Sequence, residues 1–226
     1  MICYDYEEDP TLKIIKKNFP NNSKIIFLSY PNNPTGNCFS DTQVQKVIES
    51  FQGIVVIDEA YHDFSRKSFV NQIREHNNLV VLRSLSKIGL AALRVGFGLA
   101  DPLVISEIDK VRLPYNSNTV SQAFAEHLIT NFELVQNQID SILDERHRLL
   151  GELQKIESVI AFPSDSNFIL FKTKHPAGSI FAFLAKNGIL VRNLSSHPKL
   201  NNCLRVTVGT KSENDRFLSK LKDFKS

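Results

Sequence analysis

In the first half of the chain the apolar residues fall in short, dense runs. KIIFLSY (24–30), IVVID (54–58), LVVLRS (79–84) and VGFGLA (95–100) are continuous rather than alternating, and the first three are rich in β-branched residues. Such runs predict strands buried on both faces. Between the first two, SDTQVQKVIESF (40–51) changes period. Val44, Val47, Ile48 and Phe51 recur at i, i+3, i+4 and i+7, which predicts a helix with Ser40 as its N-cap. Strands alternating with helices predict βαβ units and a mainly parallel sheet covered on both faces.

The pattern changes after residue 101. From Ser121 to Ile156 it is helical, with no proline and no glycine before Gly151, and it predicts one long helix that bridges two domains. Beyond it VIAF (159–162), NFILFK (167–172), ILVR (189–192) and CLRVTV (203–208) read as strands, interleaved with helices near 177–187 and 212–225. The predicted organisation is an α/β large domain over 1–120, an interdomain helix over 121–156 and a small α+β domain over 157–226.

Composition narrows the function classes. The 226 residues carry a net charge of +3, with 42% hydrophobic and 23% charged residues, so the bulk charge suggests neither nucleic acid nor membrane as a partner. No apolar run reaches membrane-spanning length. The start, MICYDYEEDP, is acidic and does not resemble a signal peptide. Cys3, Cys38 and Cys203 are scattered, no CxxC occurs, and the six histidines form no metal pattern. A reducing, cytoplasmic setting and no metal are expected.

Ligands of open α/β sheets sit at the carboxyl ends of the strands. Here those ends carry Asn32 and Asn33, then Asp58, then Ser84 through Lys87. Taken alone, Lys87 reads as a surface or salt-bridging lysine. Flanked by Ser84 and Ser86, which offer hydroxyls to a phosphate, and followed by Arg94, it suits an amine nucleophile beside an anion site. Asp58 closes an apolar strand, where a carboxylate needs a partner. A protonated pyridine nitrogen, a magnesium ion and a helix N-cap all remain open for it. Tyr61 suits a ligand oxygen or an ordinary half-buried position. Asn33 in NNPTG suits a ligand or plain turn chemistry. Arg205, inside CLRVTV, suits a carboxylate or an edge strand facing solvent, and Arg192 ends ILVR in the same way.

Taken together, YPNNPTG (30–36), IDEAYHDF (57–64), SLSKIGLAALRVGF (84–97) and LRVTVG (204–209) resemble, in order and spacing, the motifs of fold-type-I aminotransferases, which use pyridoxal 5′-phosphate (PLP). LPYNSNTVSQ (113–122), PSDSNFILF (163–171) and GILVRN (188–193) are similar to segments of histidinol-phosphate aminotransferases, which exchange the amino group of histidinol phosphate with 2-oxoglutarate and glutamate in histidine biosynthesis. The resemblance implies a role for each position. Lys87 would hold PLP through a Schiff base and act as general acid and base. Asp58 would pair with the ring nitrogen, Ala60 would pack on the ring, and Asn33 and Tyr61 would bond its hydroxyl oxygen. Ser84, Ser86 and Arg94 would hold the phosphate, while Arg205 and Arg192 would take the anionic end of the substrate.

The resemblance further implies a homodimer. It also sets an expectation about extent. Members of the family carry a substantial segment ahead of the Asn-Pro-Thr-Gly strand, with a phosphate-binding helix N-terminus and a ring-stacking aromatic, and only about thirty residues precede that turn here. A partial fold-type-I architecture and weak or absent activity of this chain alone are therefore expected. The alternatives are a phosphoamino-acid decarboxylase of the same fold and a truncated, non-catalytic remnant.

Overall fold

The computed structural model describes residues 22–224. The first twenty-one residues of the expected large domain, with Cys3, lie outside them, as do the last two residues of the chain. The described chain forms two compact units. One comprises 22–32 and 38–137, and the other 33–37 and 138–224.

The first unit holds β1 (Ile25–Ser29), α1 (Asp41–Ser50), β2 (Ile54–Asp58), the one-turn helix α2 (His62–Ser65), β3 (Leu79–Ser84), β4 (Gly96–Ala100), α3 (Pro102–Asp109) and α4 (Thr119–Thr130). The sheet runs β1-β2-β3-β4, the first three strands parallel and β4 antiparallel to β3. The reversal follows from the connection. Between β3 and β4 lie only residues 85–95, wound into two 3₁₀ turns, too little chain for a crossover helix.

Val44, Val47 and Ile48 of α1 pack on Ile26, Leu28, Val55, Ile57, Leu79 and Val81. Tyr30 joins this core fully buried, its ring edge-to-face with Phe69 at 5.1 Å and its hydroxyl donated to the Asp41 carboxylate. Burial, then the Asp41 carboxylate, push its phenol well above the ordinary tyrosine range. Cover on both faces, expected for the first strand, does not hold. Among the described residues β1 is an edge strand, and its alternate side chains Ile25 and Phe27 are 53% and 67% exposed.

The single helix expected over 121–156 is two helices, α4 and α5 (Glu133–Gln154). Asn131 makes the break without glycine or proline. Its backbone N–H bonds the carbonyls of His127 and Leu128, and its side-chain Nδ2 donates to the His127 carbonyl at 2.8 Å, which ends α4. The division between the compact units falls inside α5, between Asn137 and Gln138.

The second unit has a four-stranded antiparallel sheet in the order β5-β6-β8-β7, with β5 at Val159–Ala161, β6 at Phe168–Thr173, β7 at Arg192–Asn193 and β8 at Cys203–Thr207. Helices α5, α6 (Ala177–Lys186) and α7 (Lys211–Asp223) bring Leu149, Leu153, Leu184, Phe217 and Leu221 against Ile169, Phe171, Leu204 and Val206. The strand expected over 189–192 is shorter and later. Gly188 closes α6 at φ +74°, the Ile189 N–H returns to the Leu184 carbonyl, and Ile189 and Val191 pack on the helix core before pairing with β8 begins.

α7 opens on a capping box. The Thr210 backbone N–H donates to Glu213 Oε2 at 2.8 Å, and the Glu213 N–H returns to Thr210 Oγ1. Its first turn is clasped to α5, where Arg148 meets both carboxylate oxygens of Glu145 at 2.9 and 2.8 Å and reaches Asp215 at 2.7 Å. The Arg148 guanidinium, helped by the Asn214 amide, holds the Glu145 carboxyl below the usual carboxylate range. Its contribution to stability is therefore present above that range and is lost as pH falls through the lower, folded-state value. Arg148→Met should flatten this acid-side decline while costing less than about 1 kcal/mol at neutral pH, because the pair is partly exposed. Urea unfolding of both proteins across the acid range measures it, and parallel pH profiles would refute it.

Candidate active site

In the first unit, β2 and β3 lie side by side in parallel, with Asp58 opposite Leu82, so both strands deliver polar residues at the same edge of the sheet. Beyond β2, Asp58 Oδ1 accepts the Ala60 N–H at 3.0 Å. The Glu59 carbonyl accepts the His62 N–H at 2.9 Å, closing a tight turn that presents Ala60 and Tyr61. One carboxylate oxygen of Asp58 thus fixes its orientation, and the carboxylate keeps acceptor capacity for a ligand.

Beyond β3, Ser84 Oγ accepts the Ser86 N–H at 3.1 Å and caps the turn Leu85–Ile88, which Gly89 ends at φ +95°. Leu85, Ile88, Leu90 and Val95 anchor this turn on Ala125 and Leu128 of α4 and on Val135. The sequence from Lys87 to Arg94 is thus apolar because part of it roots the lysine in a core. Lys87 is half-buried, with Nζ 5.2 Å from the centre of the Tyr61 ring. Among the described residues it forms no ion pair with a carboxylate. The structure therefore brings Asp58, Ala60 and Tyr61 together with Ser84, Ser86 and Lys87. Arg94 stands differently. It is exposed, has φ +57°, and bonds within its own turn, Nη1 to the Ala91 carbonyl at 3.3 Å.

In the second unit, Asn33 and Arg205 meet, with Arg205 Nη1 donating to Asn33 Oδ1 at 2.5 Å. The Arg205 guanidinium carbon lies 4.6 Å from the centre of the Phe168 ring. The edge-strand alternative for Arg205 fails, because β8 lies between β6 and β7. Arg192 on β7 is directly opposite Arg205, so the two cations share one face of the sheet.

The Asn-Pro-Thr-Gly turn is seated in the same unit. The Gly36 carbonyl accepts the Asp165 N–H at 2.7 Å, Gly36 has φ +84°, and a Cβ there would stand 2.6 Å from Ser164 Oγ. Only glycine fits, and the turn that carries Asn33 is thereby tied to the loop before β6.

Sequence reasoning gave no role to Glu59, which is 1% exposed and bonded to Ser68, Phe69 and Arg83. The available signal was a second carboxylate directly after an apolar strand, where burial demands partners. Among the described residues no group of three or more His, Cys, Asp or Glu side chains is gathered to hold a metal ion, and no helix is long and apolar enough to cross a membrane.

The histidinol-phosphate aminotransferase of Vesicomyosocius okutanii is 40% identical over 221 residues, 98% of this chain and 61% of that protein. Histidinol-phosphate aminotransferase 2 of Nitrosococcus oceani is 43% identical over 213 residues, 93% of this chain and 58% of that protein. The chain thus spans about three fifths of the length of these relatives. The crystal structure of the histidinol-phosphate aminotransferase from Clostridium acetobutylicum superposes with a TM-score of 0.85 at 24% identity, over 93% of this chain and 66% of that one, and shows that the fold is that of the fold-type-I aminotransferases. The sequence profile for aminotransferase class I and II matches residues 5–221, and on that match and these relatives the chain belongs to the class I and II aminotransferase family.

Proposed function

We propose that the chain serves the PLP-dependent transamination of histidinol phosphate with 2-oxoglutarate and glutamate, a step of histidine biosynthesis, in the cytoplasm and as a homodimer. The observation that carries this reading is Lys87, a half-buried amine set over Tyr61, without a carboxylate partner among the described residues, on the turn beside the Asp58 strand end. An amine without a carboxylate partner, a strand-end carboxylate and the hydroxyls of Ser84 and Ser86 are the donor set that an aldehyde, a ring nitrogen and a phosphate require, so the residues present fit the cofactor.

Bound there, PLP supplies an electron sink for charge developing at the substrate Cα. Lys87 would hold the cofactor through its amine, with the aldehyde oxygen leaving as water, and would be the group that takes and returns a proton at the substrate Cα. Asp58 would keep the ring nitrogen protonated, Ala60 would pack against the ring, and Tyr61 would donate to the ring hydroxyl oxygen. Asn33, whose Oδ1 accepts from Arg205, would have its Nδ2 left to donate to the same ring oxygen. Ser84 and Ser86 would hold the phosphate, joined by Arg94 on release of its bond to the Ala91 carbonyl, and Arg205 with Arg192 would take the substrate anion.

The test is to incubate the purified protein with PLP, histidinol phosphate and 2-oxoglutarate, following glutamate and carbon dioxide. Glutamate formation supports the proposal. Carbon dioxide release without glutamate would replace it with decarboxylation, and neither product with no spectral change on PLP addition would leave a non-catalytic chain.

A further inference from the structure

The turn that presents Asp58, Ala60 and Tyr61 is built on Glu59. Its carboxylate accepts the Phe69 N–H on Oε1 at 2.6 Å, and the Ser68 hydroxyl and Arg83 Nε on Oε2 at 2.8 and 3.1 Å. Arg83 Nη2 also donates to Ser68 Oγ at 2.8 Å, which closes the network into a ring. The main chain of Glu59 is held too, with its N–H on the Leu82 carbonyl at 2.8 Å and its carbonyl on the His62 N–H. A buried carboxylate is a costly way to fill space where an apolar side chain would serve, and a fully satisfied polar network fixes one arrangement.

What this network fixes is set by sequence position. Glu59 stands between Asp58 and Ala60, and Arg83 directly precedes Ser84, the cap of the Lys87 turn. We propose that Glu59 is a positioning residue for the cofactor site. Through Arg83, Ser68 and the Phe69 N–H it locks the Asp58–Tyr61 turn against the Ser84–Lys87 turn and so sets the approach of Tyr61 to Lys87. This rests on the PLP reading of Lys87.

The test titrates PLP into wild type, Glu59→Gln, Arg83→Met and the double variant. It records the dissociation constant, the pH midpoint of the Lys87-dependent visible absorbance band, and folding by circular dichroism. Both single variants should fold, bind PLP roughly ten- to a hundredfold more weakly and move the midpoint, and the double variant should be little worse than either, because the two residues act as one unit. Folded variants with wild-type affinity and midpoint would overturn the proposal. If Glu59→Gln fails to fold, Ser68→Ala removes one exposed donor of the same carboxylate, and an unmoved midpoint there would overturn it as well. A wild type with no Lys87-dependent band would instead overturn the PLP reading, and this role with it.

Discussion

Lys87→Ala should fold as wild type does and develop no visible absorbance band when PLP is added. The turn does not depend on the lysine. Its anchors are the Ser84 cap and the packing of Leu85 against Ala125 and Leu128, all untouched by the substitution. The interaction lost is the cation over the Tyr61 ring, about 0.5–1 kcal/mol at a partly exposed position, so the thermal midpoint moves by no more than a few degrees. The chemistry has no such reserve. On the proposed function the same amine would hold the cofactor aldehyde and move the proton. Its acid–base role alone is worth roughly 10²–10⁴ in rate, and the covalent role comes in addition. Turnover should therefore fall by at least that factor. A persisting band in folded Lys87→Ala would mean that another amine carries the cofactor.

The chain announces this site unevenly. Strand ends and motif order identify Asp58 and Lys87, because continuous apolar runs stop at them and a parallel sheet puts such ends on one edge. The direction of β4 is not written in its apolar run. It depends on the short connection after β3, residues 85–95, which leaves too little chain for a crossover helix. Asn131 ends a helix by bonding its own backbone, an event that apolar periodicity does not register. The facing of Arg192 and Arg205 is a matter of register, fixed by where β7 meets β8 rather than by either strand's composition. Glu59 is hidden for a different reason. Beside an aspartate and a tyrosine with evident uses it looks like one more polar residue, and only its burial shows it to be a hub. Ile25 and Phe27 are the converse case, apolar residues that an interior strand would bury and that β1 leaves exposed.

Arg205→Met should weaken binding of histidinol phosphate by roughly 10²–10⁴, the largest binding defect expected from any single side chain of the second unit. A guanidinium can hold an anion with two parallel charge-assisted bonds, each worth about 1.5–3 kcal/mol, which gives that range. Arg205→Lys separates charge from geometry. It keeps the cation, yet one ammonium cannot hold Asn33 and grip an anion as a fork, so an intermediate loss of roughly ten- to a hundredfold is expected. The measurement is calorimetric or spectral titration of the PLP-loaded protein with histidinol phosphate, glutamate and histidinol. Both anionic ligands should weaken, because on the proposed function one arginine would answer a phosphate in one half-reaction and a carboxylate in the other. Histidinol, which lacks the phosphate, should bind wild type and variant alike. If histidinol weakens as much as histidinol phosphate, Arg205 acts through Asn33 on the cofactor rather than on the substrate anion. If none of the three changes by more than about threefold, the anion is held elsewhere.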